Sequence, residues 1–141
     1  MTQFIVKETE NKYEAIKELQ NANLDAGFTI GAEGGGGTTI NVVIQLRYDK
    51  SQADSVRRSV FAYLSADANG DAIVATAPSG GWAIGTDGLL IPVVTNKAAH
   101  LVSESDGDID ITITEAGVYT CYLILVMPNG RLVASSAITF A

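Results

Sequence analysis

Most of what marks an enzyme, a redox protein or a nucleic-acid binder is missing from this chain of 141 residues. It has one cysteine, Cys121, which excludes an internal disulfide and any multi-cysteine metal site. It has one histidine, His100, so histidine-dependent catalysis would have to be built around that residue, and no Gly-x-Ser-x-Gly elbow supplies a nucleophile. A Cys121–His100 pair fares no better, because Cys121 lies in an apolar run that raises a thiol pKa and suppresses its reactivity. Lys and Arg number 9 against 16 Asp and Glu, a formal net charge of −7, which disfavours a phosphate-backbone partner. No apolar run approaches the roughly 18 residues of a membrane span, and no charged-then-apolar leader is recognisable.

Two motifs that invite a chemical reading lack its other parts. Residues 31–37, GAEGGGG, hold a glycine run, but no Gly-Lys-Ser/Thr follows to make a phosphate loop, and the next stretch is β-like. The run reads as a flexible linker. Asp106, Asp108 and Asp110 with Glu104, and separately Asp67, Asn69 and Asp71, offer oxygen ligands for a hard cation. Neither has EF-hand spacing, and Asp108 and Asp110 occupy the polar face of an alternating strand, where charge also discourages edge-to-edge aggregation. With Trp82 the one tryptophan, a sugar-stacking cleft for glycoside hydrolysis has little to build on. No catalytic residue, metal or cofactor is expected.

What the sequence does contain is strands. Residues 108–114, DIDITIT, alternate strictly, and Glu115-Ala116-Gly117 turns them into residues 118–127, VYTCYLILVM. Pro128-Asn129-Gly130 turns that run into RLVASSAITFA. Upstream, residues 40–48, 59–65, 82–84, 89–95 and 100–104 read as further strands, with a short edge piece at 73–77. Seven to nine short strands at this spacing predict an all-β fold, an Ig-like antiparallel β-sandwich over residues 40–141. Residues 1–30 differ: a short apolar patch at Phe4, Ile5 and Val6 precedes a weakly amphipathic helix expected over about 9–21. Such a helix is too short to persist alone. It forms an expected N-terminal arm, joined through the glycine-rich linker at 31–39, whose Phe4, Ile5, Val6, Ile16 and Leu19 serve attachment or oligomerisation.

The run at 118–127 carries two more signals. Tyr119 two residues before Cys121, near the start of a penultimate strand, has the spacing of the immunoglobulin tyrosine corner, in which the hydroxyl bonds back to upstream backbone. The partner cysteine and the third-strand tryptophan of antibody domains are absent. The run is also apolar on both faces, with Tyr119, Cys121, Leu123, Leu125 and Met127 on one and Val118, Tyr122, Ile124 and Val126 on the other. A strand apolar on both faces is covered on both. The expected cover is a sister copy contacting Tyr122 and Ile124, which makes the protein a homo-oligomer; the alternative is the arm or residues 73–84 around Trp82.

The stretches GGWAIGTDGLLIP, LVSESDGDIDITITEAG and YLILVMPNGRLVASSAITFA, within roughly residues 60–141, resemble small virion proteins of tailed bacteriophages. The resemblance is one of turns and strands. It implies a non-enzymatic structural role, such as a capsid decoration, head-fibre or tail-associated protein that docks on capsid or tail proteins, and a virion location after synthesis in the bacterial cytoplasm. It supplies no functional residues. The competing class is an adhesion or carbohydrate-binding Ig-like module directed at a host-surface glycan, an analogy of fold alone.

Overall fold

The computed structural model describes residues 23–49 and 51–141, together with Lys12 and Ala15. The expected arm helix falls outside the described residues except for those two positions, and so do Phe4, Ile5, Val6, Ile16 and Leu19.

From residue 23 onward the described chain is all-β. Its strands are β1 (Asp25–Ile30), β2 (Thr39–Asp49), β3 (Gln52–Ala53), β4 (Ser59–Ser65), β5 (Gly81–Ile84), β6 (Leu89–Val94), β7 (Ala98–Val102), β8 (Asp108–Thr114), β9 (Tyr119–Val126), β10 (Leu132–Ala134) and β11 (Ile138–Phe140). They form two antiparallel sheets of a β-sandwich. One has the order β1-β2-β8-β5, with β3 paired to β2; the other has the order β10-β9-β4-β7-β6, with β11 paired to β9.

Alternation decides which side chains meet between the sheets. In β8, Ile109, Ile111 and Ile113 are fully buried, and their cross-strand partners Ile44, Val42 and Ile40 on β2 are buried with them. From the other sheet come Val60, Ala62 and Leu64, Ala99 and Leu101, and Cys121, Leu123 and Leu125. Each fully buried aliphatic side chain contributes roughly 1.5–3 kcal/mol. Trp82 of β5 joins this core at 7% exposure. It therefore does not fold over the outer face of β9, and residues 73–77 form a single bridge, Ser65↔Ile73, where an edge strand was expected.

The expected boundary between arm and sandwich is displaced by β1. Residues 25–30 pair one for one with β2, from Asp25↔Arg47 to Ile30↔Val42. Leu24 just before them is fully buried, and Phe28 and Ile30 pack on the core. The glycine run is thus the connection of a hairpin within one sheet, where a linker between two units was expected. Gly34 N donates to Thr39 O at 2.7 Å and Gly31 N to Asn41 O at 2.8 Å. Gly35, Gly36 and Gly37 reverse the chain at φ of 58, 79 and 85°, a region that side chains disfavour.

Candidate functional site

The two outer faces of the sandwich differ sharply in chemistry. Outward residues of the β1-β2-β8-β5 sheet include Asp25, Asn41, Gln45, Arg47, Asp49, Asp108, Asp110, Thr112 and Thr114, a polar and charged surface. The strands of the other sheet, β4, β6, β7, β9, β10 and β11, contain no Asp, Glu, Lys or Arg on either face. Its outward side chains register in rows across the strands. Leu132, Val126, Phe61, His100 and Ile91 are successive cross-strand partners from β10 to β6. Beside them Leu89 pairs with Val102. Leu89, Ile91 and Leu132 are 54%, 52% and 51% exposed. Phe61 meets His100 edge-on, with ring centroids 5.5 Å apart, so the row is in contact as well as in register. The result is an apolar surface whose strands carry no Asp, Glu, Lys or Arg.

One end of this face is already covered, and by a segment other than the two expected. Residues 66–72 fold over it: Tyr63 donates its hydroxyl to Gly70 O at 2.6 Å, and Ser65 Oγ donates to Ala72 O at 3.0 Å. Asp67 Oδ1 holds the turn by accepting from the amides of Asn69, Gly70 and Asp71. Gly70 is required where the loop touches the sheet. A Cβ there would lie 2.8 Å from the Tyr63 hydroxyl and 3.4 Å from Ile124, at a φ of +79°. Ile124, expected as an oligomer contact, is consequently 1% exposed and Tyr122 part-buried. Ile124 is part of the packed structure, and the uncovered apolar surface lies further along the same face.

The corner before β9 is a structural knot. Tyr119 donates its hydroxyl to Thr76 O at 2.9 Å, a backbone carbonyl in the loop before β5; the bond spans 43 residues, so it ties two distant segments together and is not the short upstream bond of an immunoglobulin tyrosine corner. In the same place Glu115 accepts from Ser79 N at 2.8 Å, Ser79 Oγ at 2.9 Å and Gly117 N at 2.8 Å. These bonds hold the Glu115 carboxyl below the usual carboxylate range, and burial pushes the Tyr119 hydroxyl up to about 12. Cys121 is fully buried, and burial pushes its thiol up to about 12 as well, as an unreactive core residue requires. Tyr119→Phe should cost about 0.5–1.5 kcal/mol in urea unfolding, the net value of a hydrogen bond whose acceptor water can then reach. Tyr119 favours its neutral form in the fold, so its contribution is complete below the unfolded tyrosine value near 10 and falls away as pH rises toward about 12. Glu115 contributes above the unfolded carboxylate value and loses that contribution on acidification. Loss of stability between about pH 10 and 12 should be shallower in Tyr119→Phe than in the wild type; an identical slope would remove Tyr119 from the account.

Among the described residues, polar groups elsewhere do not converge on a reactive centre. Asp108 and Asp110 each leave one buried oxygen without a partner, and burial, followed by the charges of Asp87, Asp106 and Asp110, raises the Asp108 carboxyl. Asp110 is tied to Thr86, whose hydroxyl donates to Oδ2 at 2.9 Å, and Glu104 to Arg57 at 3.0 Å. Among the described residues no group of three or more His, Cys, Asp or Glu side chains is placed to hold a metal ion. A cavity of about 360 Å³ is lined by Tyr48, Asp54, Ser55, Val56 and Arg58. Its carboxylate is spoken for, since Asp54, 2% exposed, is ion-paired to Arg58 Nε and also accepts from Val56 N at 3.4 Å.

No protein-family model matches the chain, and no curated protein matches it. Among solved structures, a cohesin module from a Clostridium perfringens family 33 glycoside hydrolase aligns at 10% identity with a TM-score of 0.34, over 83% of this chain and 91% of the module. A likeness of that degree carries no argument about function.

Proposed function

We propose that this is a non-enzymatic structural protein of a bacteriophage particle, a capsid decoration or head-fibre protein that docks through one sheet and displays an Ig-like sandwich. The observation that carries the docking role is the contrast between the two outer faces: one polar and charged, the other apolar and without a charged strand residue. Isolated exposed apolar side chains are ordinary, but a registered row of them across five strands marks an interaction surface. The turn-and-strand resemblance of residues 60–141 supports the phage setting, and the two antiparallel sheets support the Ig-like reading at the level of a β-sandwich. A glycan site needs amide, carboxylate or guanidinium groups to bond sugar hydroxyls, and the apolar face offers none of these side chains. Mass spectrometry of purified phage particles should find the chain at a structural copy number. Its absence from particles, together with specific binding of the isolated protein on a glycan array, would replace this reading with the adhesive one.

A further inference from the structure

We propose that the apolar outer face of the β10-β9-β4-β7-β6 sheet is occupied by a second copy of this chain, the two sheets stacked face to face about a two-fold axis. This rests on the reading of that face as a docking surface and adds its occupant.

Area is the first argument. Five strands at about 4.8 Å spacing and five residues at about 3.4 Å give a plane of about 20 by 17 Å. Two such planes amount to about 700 Å² before side-chain relief is counted, to which the half-exposed Leu89, Ile91 and Leu132 standing off each add and from which the end under residues 66–72 is subtracted. That is the low end of protein interfaces, the range of a weak and reversible pairing. Sheets stack in this way, about 10 Å apart, inside each copy already.

Charge is the second argument, and it selects among partners. A basic or acidic partner would be met by opposite charges on the face, and the strands carry none. The Tyr63 hydroxyl is already bonded to Gly70 O, which leaves His100 as the one ionisable side chain in the exposed row. An apolar partner is required, and a sister copy supplies the same rows. A chain of net charge −7 should repel its copy, yet this pairing puts the acidic sheets on the two far sides. There Asp25, Asp49, Asp108 and Asp110 of the two copies lie about 30 Å apart across the stacked layers. Screening beyond about 10 Å removes most of their repulsion. The covering loop at residues 66–72 blocks one end of the face, so the copies must meet through the open end, where the row from Leu132 to Ile91 lies.

Light scattering of the full-length protein at about 100 µM should give twice the chain mass of 14.8 kDa. Ile91→Lys and Leu132→Lys should each halve that mass with the thermal melt retained, because both side chains are half-exposed in one copy. Val43→Lys, on the opposite face and 37% exposed, should leave it doubled. A monomeric wild type, or a dimer that survives both face variants, overturns the proposal. A monomer that co-sediments with phage particles and loses that binding on Ile91→Lys would give the face to another virion protein, overturning the second copy while keeping the docking surface. Neither dimer nor particle binding would remove both.

Discussion

Arg58→Met is expected to lower the stability of the fold by about 3 kcal/mol, a larger effect than its position on the surface side of a turn suggests. The reason lies with its partner. Asp54 is 2% exposed and its carboxylate is ion-paired to Arg58 Nε, with Val56 N as a weaker second donor at 3.4 Å. Removing the arginine leaves a charge out of water with little to compensate it, whereas removing both charges together removes the problem. Arg58 is also fixed by its backbone, whose N–H donates to Ser103 Oγ at 3.0 Å and whose carbonyl accepts from Ser103 N at 2.9 Å, so the side chain is the part the substitution changes. Urea unfolding should therefore rank Arg58→Met as the least stable, with Asp54→Leu/Arg58→Met well above it. The adjoining cavity of about 360 Å³ gives the opposing outcome a physical meaning. A loss below about 1 kcal/mol for Arg58→Met would say that water enters there and hydrates Asp54.

The core was largely legible in the sequence, and the interaction surface only in part. Strict alternation in DIDITIT placed Ile109, Ile111 and Ile113 inward, and they are fully buried. The second apolar face of residues 118–127 was legible too, since Val126 belongs to the exposed row and Ile124 needed a cover. What covers it was not, because Asp67-Ala68-Asn69-Gly70-Asp71 reads as a polar turn and nothing local says that it folds back on the sheet. The bond from Tyr63 to Gly70 O that fixes it joins residues seven apart in sequence. A stronger signal lies in the charges: every strand of one sheet lacks them, whereas β1, β2 and β8 of the other each carry at least one Asp. Charge counted strand by strand, before any pairing is known, sorts most of the strands into their sheets. His100 illustrates the same point. A lone histidine at a strand start reads as a bland surface residue, and only the register shows it between Phe61 and Ile91 in the middle of the apolar row. The strand at residues 25–30 was hidden by its neighbours. Ala26, Phe28 and Ile30 alternate with Asp25, Gly27 and Thr29, but Gly27 and the glycine run after it suppress any reading based on strand propensity.

That hidden strand sets the second large effect, a sandwich that fails when it is cut at the glycine run. A chain beginning at residue 38 loses Leu24, which is fully buried, and the whole of β1, whose Ala26, Phe28 and Ile30 pack on the core. Leu24→Ala alone should cost about 3 kcal/mol, the usual result of emptying a fully buried leucine site. Losing β1 also strips β2 of its ladder partner from Val42 to Arg47 and exposes the flank of a strand that carries Ile44 and Leu46. The total exceeds a large share of the roughly 5–15 kcal/mol that holds an ordinary domain together. Such an uncovered strand is also a template for pairing with another chain, so aggregation should accompany the loss. A chain beginning at residue 23 keeps Leu24 and β1 and should melt cooperatively. Circular dichroism melts of the two truncations decide the matter. A sharp transition in the chain beginning at residue 38, within a few degrees of the longer one, would show that β1 is an accessory edge and that the sandwich proper begins at β2.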